Sequence, residues 1–296
     1  MKIYFPSYYN KFRCKADKCK NSCCVGWEIY VDDTTLERYK SLGREDILFH
    51  IDGDVIKLCD GERCPFLRAD GLCRLISELG DEYTSEICRE HPRFYHKIGD
   101  RIEGGMGASC EEAARIILTS DNYAEFACVN RESCDVPDET ELETLPVREE
   151  IYRILSDRSI RYDARIAQIR EKHAIPEVIH TKEEWQAEFD YLEFLNESHR
   201  ELIGVGERIS GETGALYLER FLAYLVFRHV STAEHPGEVK ARVAFCLLLA
   251  EILENYIATH DSSECEIIDA ARIISEEIEY SEDNTNSLIL ELESLL

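Results

Sequence analysis

Apolar and polar positions alternate differently in the two halves of the chain. In the second half, apolar residues recur at helical spacing. Trp185, Phe189, Leu192 and Leu195 form one stripe, opened by a Thr181–Glu184 capping box. Residues 216–230, 239–260 and 264–280 continue the pattern, and the charged, periodic stretch 148–172 predicts two helices meeting near Asp157. The first half has shorter runs between turns. Thr34 and Glu37 form a capping box for a short helix ending near Gly43. Asp52-Gly53 and Asp60-Gly61 flank a short strand at 55–58, and residues 93–102 around Gly99-Asp100 predict a hairpin. Ser109 and Glu112 form another capping box, predicting a helix over about 110–127.

These patterns predict a mainly α protein. A small, irregular α+β, cysteine-rich metal-binding domain at 1–134 precedes an acidic helical domain at 135–296. The boundary is compositional: 11 of the 13 cysteines precede residue 135, and the acidic, proline-containing stretch 134–140 reads as a linker. Charge divides the same way. Residues 1–134 carry 19 Lys/Arg against 24 Asp/Glu, whereas 135–296 carry 15 against 36. Such an acidic half repels nucleic acid and anionic lipid, so neither is an expected partner. The start Met1-Lys2-Ile3-Tyr4-Phe5-Pro6 has no long apolar run, and no later segment is long enough to span a bilayer. A cytoplasmic chain is expected, in a reducing compartment where many cysteines suggest metal or redox chemistry before disulfides.

Eight cysteines stand out: Cys14, Cys19, Cys23, Cys24, Cys64, Cys73, Cys88 and Cys110. Soft thiolates delivered from converging turns are what zinc or an iron–sulfur cluster requires. Adjacent Cys23 and Cys24 point in different directions, so both need not serve one ion. The eight thiolates suffice for two four-ligand sites, for a cluster plus a zinc, or for one cluster with spare thiols. The spacing matches neither a zinc ribbon nor a bacterial ferredoxin run. Cys246 and Cys265 lie on predicted helices and read as structural, as do Cys59, Cys128 and Cys134. Lys2, Lys11, Arg13, Lys15, Lys18 and Lys20 crowd the first twenty residues, where cations would offset a thiolate-ligated centre.

Several motifs together resemble a known family. Tyr8, Phe12, Cys14, Cys19, Cys23-Cys24, Gly26-Trp27 and Asp32 are similar to the opening of the flagellin lysine-N-methylase family. Cys64-Pro65-Phe66-Leu67 with Gly71-Leu72-Cys73 matches its second block. Glu78-Leu79-Gly80, Cys88, Pro92-Arg93 and 109–115 match its third. The resemblance covers residues 4–118. Its one local departure is Glu111 directly after Cys110, where family members usually have Cys-Pro-Glu. The eight cysteines also resemble those of a broader group of zinc- or iron-chelating domains.

The resemblance implies methyl transfer from S-adenosylmethionine to lysine side chains of flagellin, with a [4Fe–4S] cluster and zinc as the alternative. Tyr8, Tyr9, Glu103 and Glu111 are the candidates for orienting the lysine amine. The chain has no Gly-x-Gly-x-x-Gly dinucleotide fingerprint; residues 104–109 are its best Gly-rich loop. His91 and Arg93 lie close to Cys88, and Trp27 is expected to shield the site. Two other readings remain: a non-catalytic zinc- or iron-binding module, and an iron–sulfur redox protein.

Overall fold

The computed structural model describes residues 2–99, 101–130, 144–209 and 214–296. The expected linker at 134–140, with Cys134, lies outside them. The helices are α1 (Asp33–Ser41), α2 (Glu45–Leu48), α3 (Arg74–Leu79), α4 (Glu86–Glu90), α5 (Glu111–Thr119), α6 (Leu145–Leu155), α7 (Tyr162–Lys172), α8 (Lys182–Asp190), α9 (Ala215–His229), α10 (Pro236–Thr259), α11 (Glu264–Ile274) and α12 (Glu282–Leu295). The strands are β1 (Lys2–Pro6), β2 (Ile51–Asp52), β3 (Val55–Ile56), β4 (Arg93–Ile98), β5 (Arg101–Met106) and β6 (Phe126–Asn130). The protein is mainly helical. Among the described residues, no helix is long and apolar enough to cross a membrane.

The chain separates into two compact units. The larger takes residues 1–12, 95–109 and 113–296; the smaller takes 13–94 and 110–112. The larger unit therefore draws on both sides of residue 134. The reason is strand pairing: β1 lies inside a four-stranded sheet of order β4-β5-β1-β6. It runs parallel to β5, with Ile3 opposite Ile102, and antiparallel to β6, with Ile3 opposite Val129. Ile3, Phe5 and Ile102 form a buried cluster there.

The helical core of the larger unit is built on α10, which packs against α9, α11 and α12. Its 24 residues are apolar almost all round through the middle, as a helix buried on every side requires. Pro236 opens it, where a missing N–H costs nothing. The Thr181–Glu184 capping box forms as expected, and Ser263 with Glu266 caps α11 in the same way. A π-turn at Ser275–Glu279 follows α11 and places Glu279 inside the unit. There it takes hydrogen bonds from the Tyr224 hydroxyl at 3.1 Å and pairs with His229 at 2.6 Å.

Three local expectations change. The helix expected over 110–127 stops at Thr119, and Phe126–Asn130, rich in strand-forming residues, pairs with β1 instead. Ser109 makes no capping box; its buried hydroxyl has no hydrogen-bond partner. Helix α1 is capped by Asp32, whose carboxylate accepts from the Thr35 amide at 2.9 Å, and not by Thr34.

The smaller unit contains α1 to α3, α4 and the β2–β3 ribbon. Ile29, Val31, Tyr39, Ile47, Ile56, Cys64, Phe66 and Leu75 make its apolar cluster, with Cys24 and Cys73 packed against it. Two of its sulfur-bearing turns are joined by backbone: the Cys64 amide donates to the Cys24 carbonyl at 2.8 Å.

Candidate metal centre

All eight singled-out cysteines fall in the smaller unit, including Cys110, which returns to it after the β4–β5 hairpin. Cys64 sits in a turn between extended segments. Its sulfur accepts from the Phe66 amide, while burial, the stronger influence, pushes its pKa up to about 12. Cys73 directly precedes α3, and its sulfur accepts from the amides of Leu75 and Ile76; burial still raises its pKa. Cys88 lies on α4. Although the residue is exposed, its sulfur turns inward, accepts from the Ser85 hydroxyl at 3.1 Å and is raised by burial. Amide and hydroxyl donors aimed at sulfur stabilise the thiolate form and are typical second partners of a metal-bound thiolate.

Cys14 accepts from the Ala16 amide at 3.4 Å. Burial pushes Cys19 up to about 11, and Glu111, Cys110 and Cys14 add to the rise. Cys23 and Cys24 hydrogen-bond to one another. The Cys23 thiol, donating, lowers the pKa of Cys24, while the same bond and burial raise that of Cys23. Most of these thiols thus keep their protons until a cation compensates them, so metal loading must release protons.

Glu111 has a role that its sequence position did not reveal. Its carboxylate pairs with the Lys15 ammonium and accepts from the Lys20 amide at 2.8 Å. It fastens the 14–20 loop to the residue after Cys110. The run of basic residues near the start was the available signal. Lys15 also lies in the field of Cys19.

The donor set fits a metal–thiolate group. Among the described residues, the sets of three ligand atoms within 4.8 Å of one another are His180–Glu188–Glu291 and His199–Glu276–Glu277; neither contains a thiol. The two histidine–carboxylate sets have other duties. Glu277 accepts from the amides of Leu195 and Asn196 at 2.7 and 3.3 Å, Glu276 binds Arg272, and His180 pairs with Glu291.

The other candidates are placed as follows. His91 is held neutral by burial and then by Arg93, its pKa lowered to about 4, and its ring meets Trp27 edge-on at 6.4 Å. Tyr8 is buried in the larger unit and its pKa is raised by that burial. The Tyr9 and Tyr95 hydroxyls lie 3.1 Å apart. Glu103 is fully buried against Arg148, Arg101 and His96, so its charge serves an internal ion pair.

The Gly-rich run is a loop only at 107–109; residues 104–106 are strand. Gly104 belongs to β5, where a Cβ would overlap the Phe5 ring; at Gly107 one would overlap the Tyr280 hydroxyl and Arg228. These glycines are explained by close packing and leave no cradle for a nucleoside. The larger unit does contain a cavity of about 230 Å³ lined by Arg170, Lys182, Trp185, Arg208 and Glu251. Its two arginines both pair with Glu251 at 3.3 Å.

The smaller unit gathers all eight singled-out thiols, and the chain is a cysteine-rich protein. Part of the chain is similar to proteins named Lysine-N-methylase. It is 28% identical over 126 residues to the Lysine-N-methylase of Salmonella typhimurium, across 38% of this chain and 31% of that protein. The same identity over the same share of this chain links it to the Flagellar biosynthetic protein FliU of Salmonella muenchen, 75% of which is covered. The match thus spans about a third of the length of the first relative. No family model matches the chain, and neither does any solved structure.

Proposed function

We propose that the protein is a cytoplasmic, iron–sulfur-containing methyltransferase acting on lysine side chains of flagellin, with S-adenosylmethionine as methyl donor. The observation that carries this reading is the similarity to proteins named Lysine-N-methylase, joined to a flagellar name on a third relative. The eight thiols in one unit support a resident [4Fe–4S] cluster.

The donor supplies an electrophilic methyl group on a sulfonium. The protein must then present a neutral, desolvated lysine amine in line with it. Glu103 and Glu111 are committed to Arg148 and Lys15, so neither is assigned to receive the amine proton. The acidic surface, with a net charge of −26, suits a lysine-bearing protein substrate.

The test is transfer of labelled methyl from S-adenosylmethionine to purified flagellin by fully metallated protein. Label on flagellin lysines is expected; none would remove the enzyme reading. A second reading, a metal-binding module without catalysis, is favoured by the packed glycines at 104 and 107 and by the partial match to the enzymes. It predicts bound metal with no affinity for S-adenosylmethionine.

A further inference from the structure

The cavity beside Trp185 lies in the larger unit, whereas the eight thiols lie in the smaller. We propose that this cavity is a binding site for a small organic carboxylate with a compact apolar body, its charge held by Lys182, Arg170 and Arg208 and one oxygen by the Trp185 indole N–H. The site goes beyond the methyltransferase reading and does not rest on it.

The walls come from the end of α7 and the turn into α8, from the first turns of α8, from residues 205–208 and from α10. The volume, about 230 Å³, lies below the roughly 300–1,000 Å³ of pockets for drug-sized ligands, so the occupant is of amino-acid size. Val205, Ala244 and Leu248, all buried, supply an apolar lining for its body.

Two donors are left over. Trp185 is only 5% exposed, and its ring is fixed by stacking on Phe189 at 5.8 Å and by the His180 ring edge-on at 4.9 Å. Its indole N–H has no hydrogen-bond partner among the described residues, yet it is not sealed off; it is left to the space this buried side chain lines, which is the cavity. Lys182 is exposed and makes no ion pair or hydrogen bond among the described residues. Its stem lies against Gly206, where a Cβ would stand 3.0 Å from the lysine Cδ. Lys182 is also the first residue of α8, where the helix dipole opposes a cation. A lysine in that place gains from an anion in the cavity beside it.

The balance of charge points the same way, in a chain whose net charge is −26. The lining holds three permanent cations, Arg170, Lys182 and Arg208, against the carboxylates of Glu177 and Glu251. The two arginines share Glu251, each at 3.3 Å. Arg208 has a second partner in Glu254 at 3.1 Å, but Arg170 gives its other bond to the neutral Pro176 carbonyl at 2.7 Å. Burial lowers the pKa of Arg170, the charge of Glu251 offsets only part of this, and Arg208 lowers it further. His180 is taken by Glu291 at 2.9 Å. One more negative charge completes the lining, and a planar carboxylate accepts from guanidinium, ammonium and indole donors together.

The experiment titrates the full-length, metal-loaded protein with benzoate by calorimetry and follows the two tryptophan indole N–H signals by proton–nitrogen NMR. Either Trp185→Phe or Trp27→Phe assigns those signals, since the chain has two tryptophans. Benzamide, of the same shape and uncharged, is the control. Benzoate should bind saturably and about tenfold more tightly than benzamide, and should shift the Trp185 signal. Lys182→Met should weaken benzoate about fivefold and leave benzamide unchanged. It should not lower the melting temperature, because it removes a cation from a helix N-terminus. No saturable binding, equal affinity for the two probes, an unmoved Trp185 signal, or full benzoate affinity in Lys182→Met would overturn the site. Methyl transfer is not read, so failure here leaves the enzyme reading untouched, and failure of that reading leaves this site untouched.

Discussion

The two units solve the problem of stability by different means. The larger hides a 24-residue helix among its neighbours and neutralises the charges it buries, such as Arg148 against Glu103. The smaller has no helix longer than the nine residues of α1 and a two-stranded ribbon of two-residue strands. Its apolar cluster incorporates cysteine side chains where a larger domain would place leucine. Small domains bury too little surface to be stable alone and borrow from ligands instead. One unit is self-sufficient, and the other is expected to depend on what its thiols bind.

Stripping metal should produce the largest effect. Structural zinc contributes about 10–16 kcal/mol in small zinc-finger peptides. Anaerobic chelation should therefore abolish amide-exchange protection in residues 13–94 while α9 and α10 stay protected. Simultaneous loss in both units would break the contrast. Next is Arg148→Ala, which strands the Glu103 carboxylate in the larger unit. A cost of about 3–5 kcal/mol is expected in denaturant unfolding, and replacing both partners by apolar residues should recover much of it.

The same pair gives a pH test. Burial works to raise the Glu103 pKa, but the hydrogen bonds from Arg148 and the charges of Arg148 and Arg101 outweigh it and hold it at about 2. A depressed carboxylate contributes its full stability above its unfolded pKa of about 4.5 and loses it as pH falls toward 2. The loss should be about 3 kcal/mol, confined to the larger unit, and absent from the Arg148 variant. Gly107→Ala should cost about 1–3 kcal/mol by forcing Tyr280 and Arg228 aside, read as a lowered melting temperature. Smallest is Thr181→Ala, at about 1 kcal/mol through the lost cap of α8.

Much of the larger unit was legible because helical periodicity is local. The stripe at Trp185 and Phe189, the break near Asp157 and the long run that became α10 all lie where the spacing put them. What was not legible depends on partners distant in sequence. Nothing near Lys2 says that β1 will run between β5 and β6, so the larger unit's claim on the first residues was missed. The glycines at 104 and 107 looked like a ligand loop because their neighbours, Phe5 and Tyr280, are remote in the chain. The cysteines were visible as a group, but adjacent Cys23 and Cys24, expected to point in different directions, turn their thiols into a mutual hydrogen bond. The ties among the cysteine turns, the Cys64–Cys24 backbone bond and the Glu111 clasp, join residues remote in sequence.

The return of the chain to the smaller unit at 110–112 also bears on biosynthesis. Seven of the eight singled-out cysteines lie between residues 14 and 88, whereas Cys110 comes only after the β4–β5 hairpin. A ribosome therefore releases seven thiols before the eighth. Maturation then has a built-in sequence: the full set of thiols is at hand only after β5 has emerged to pair with β1.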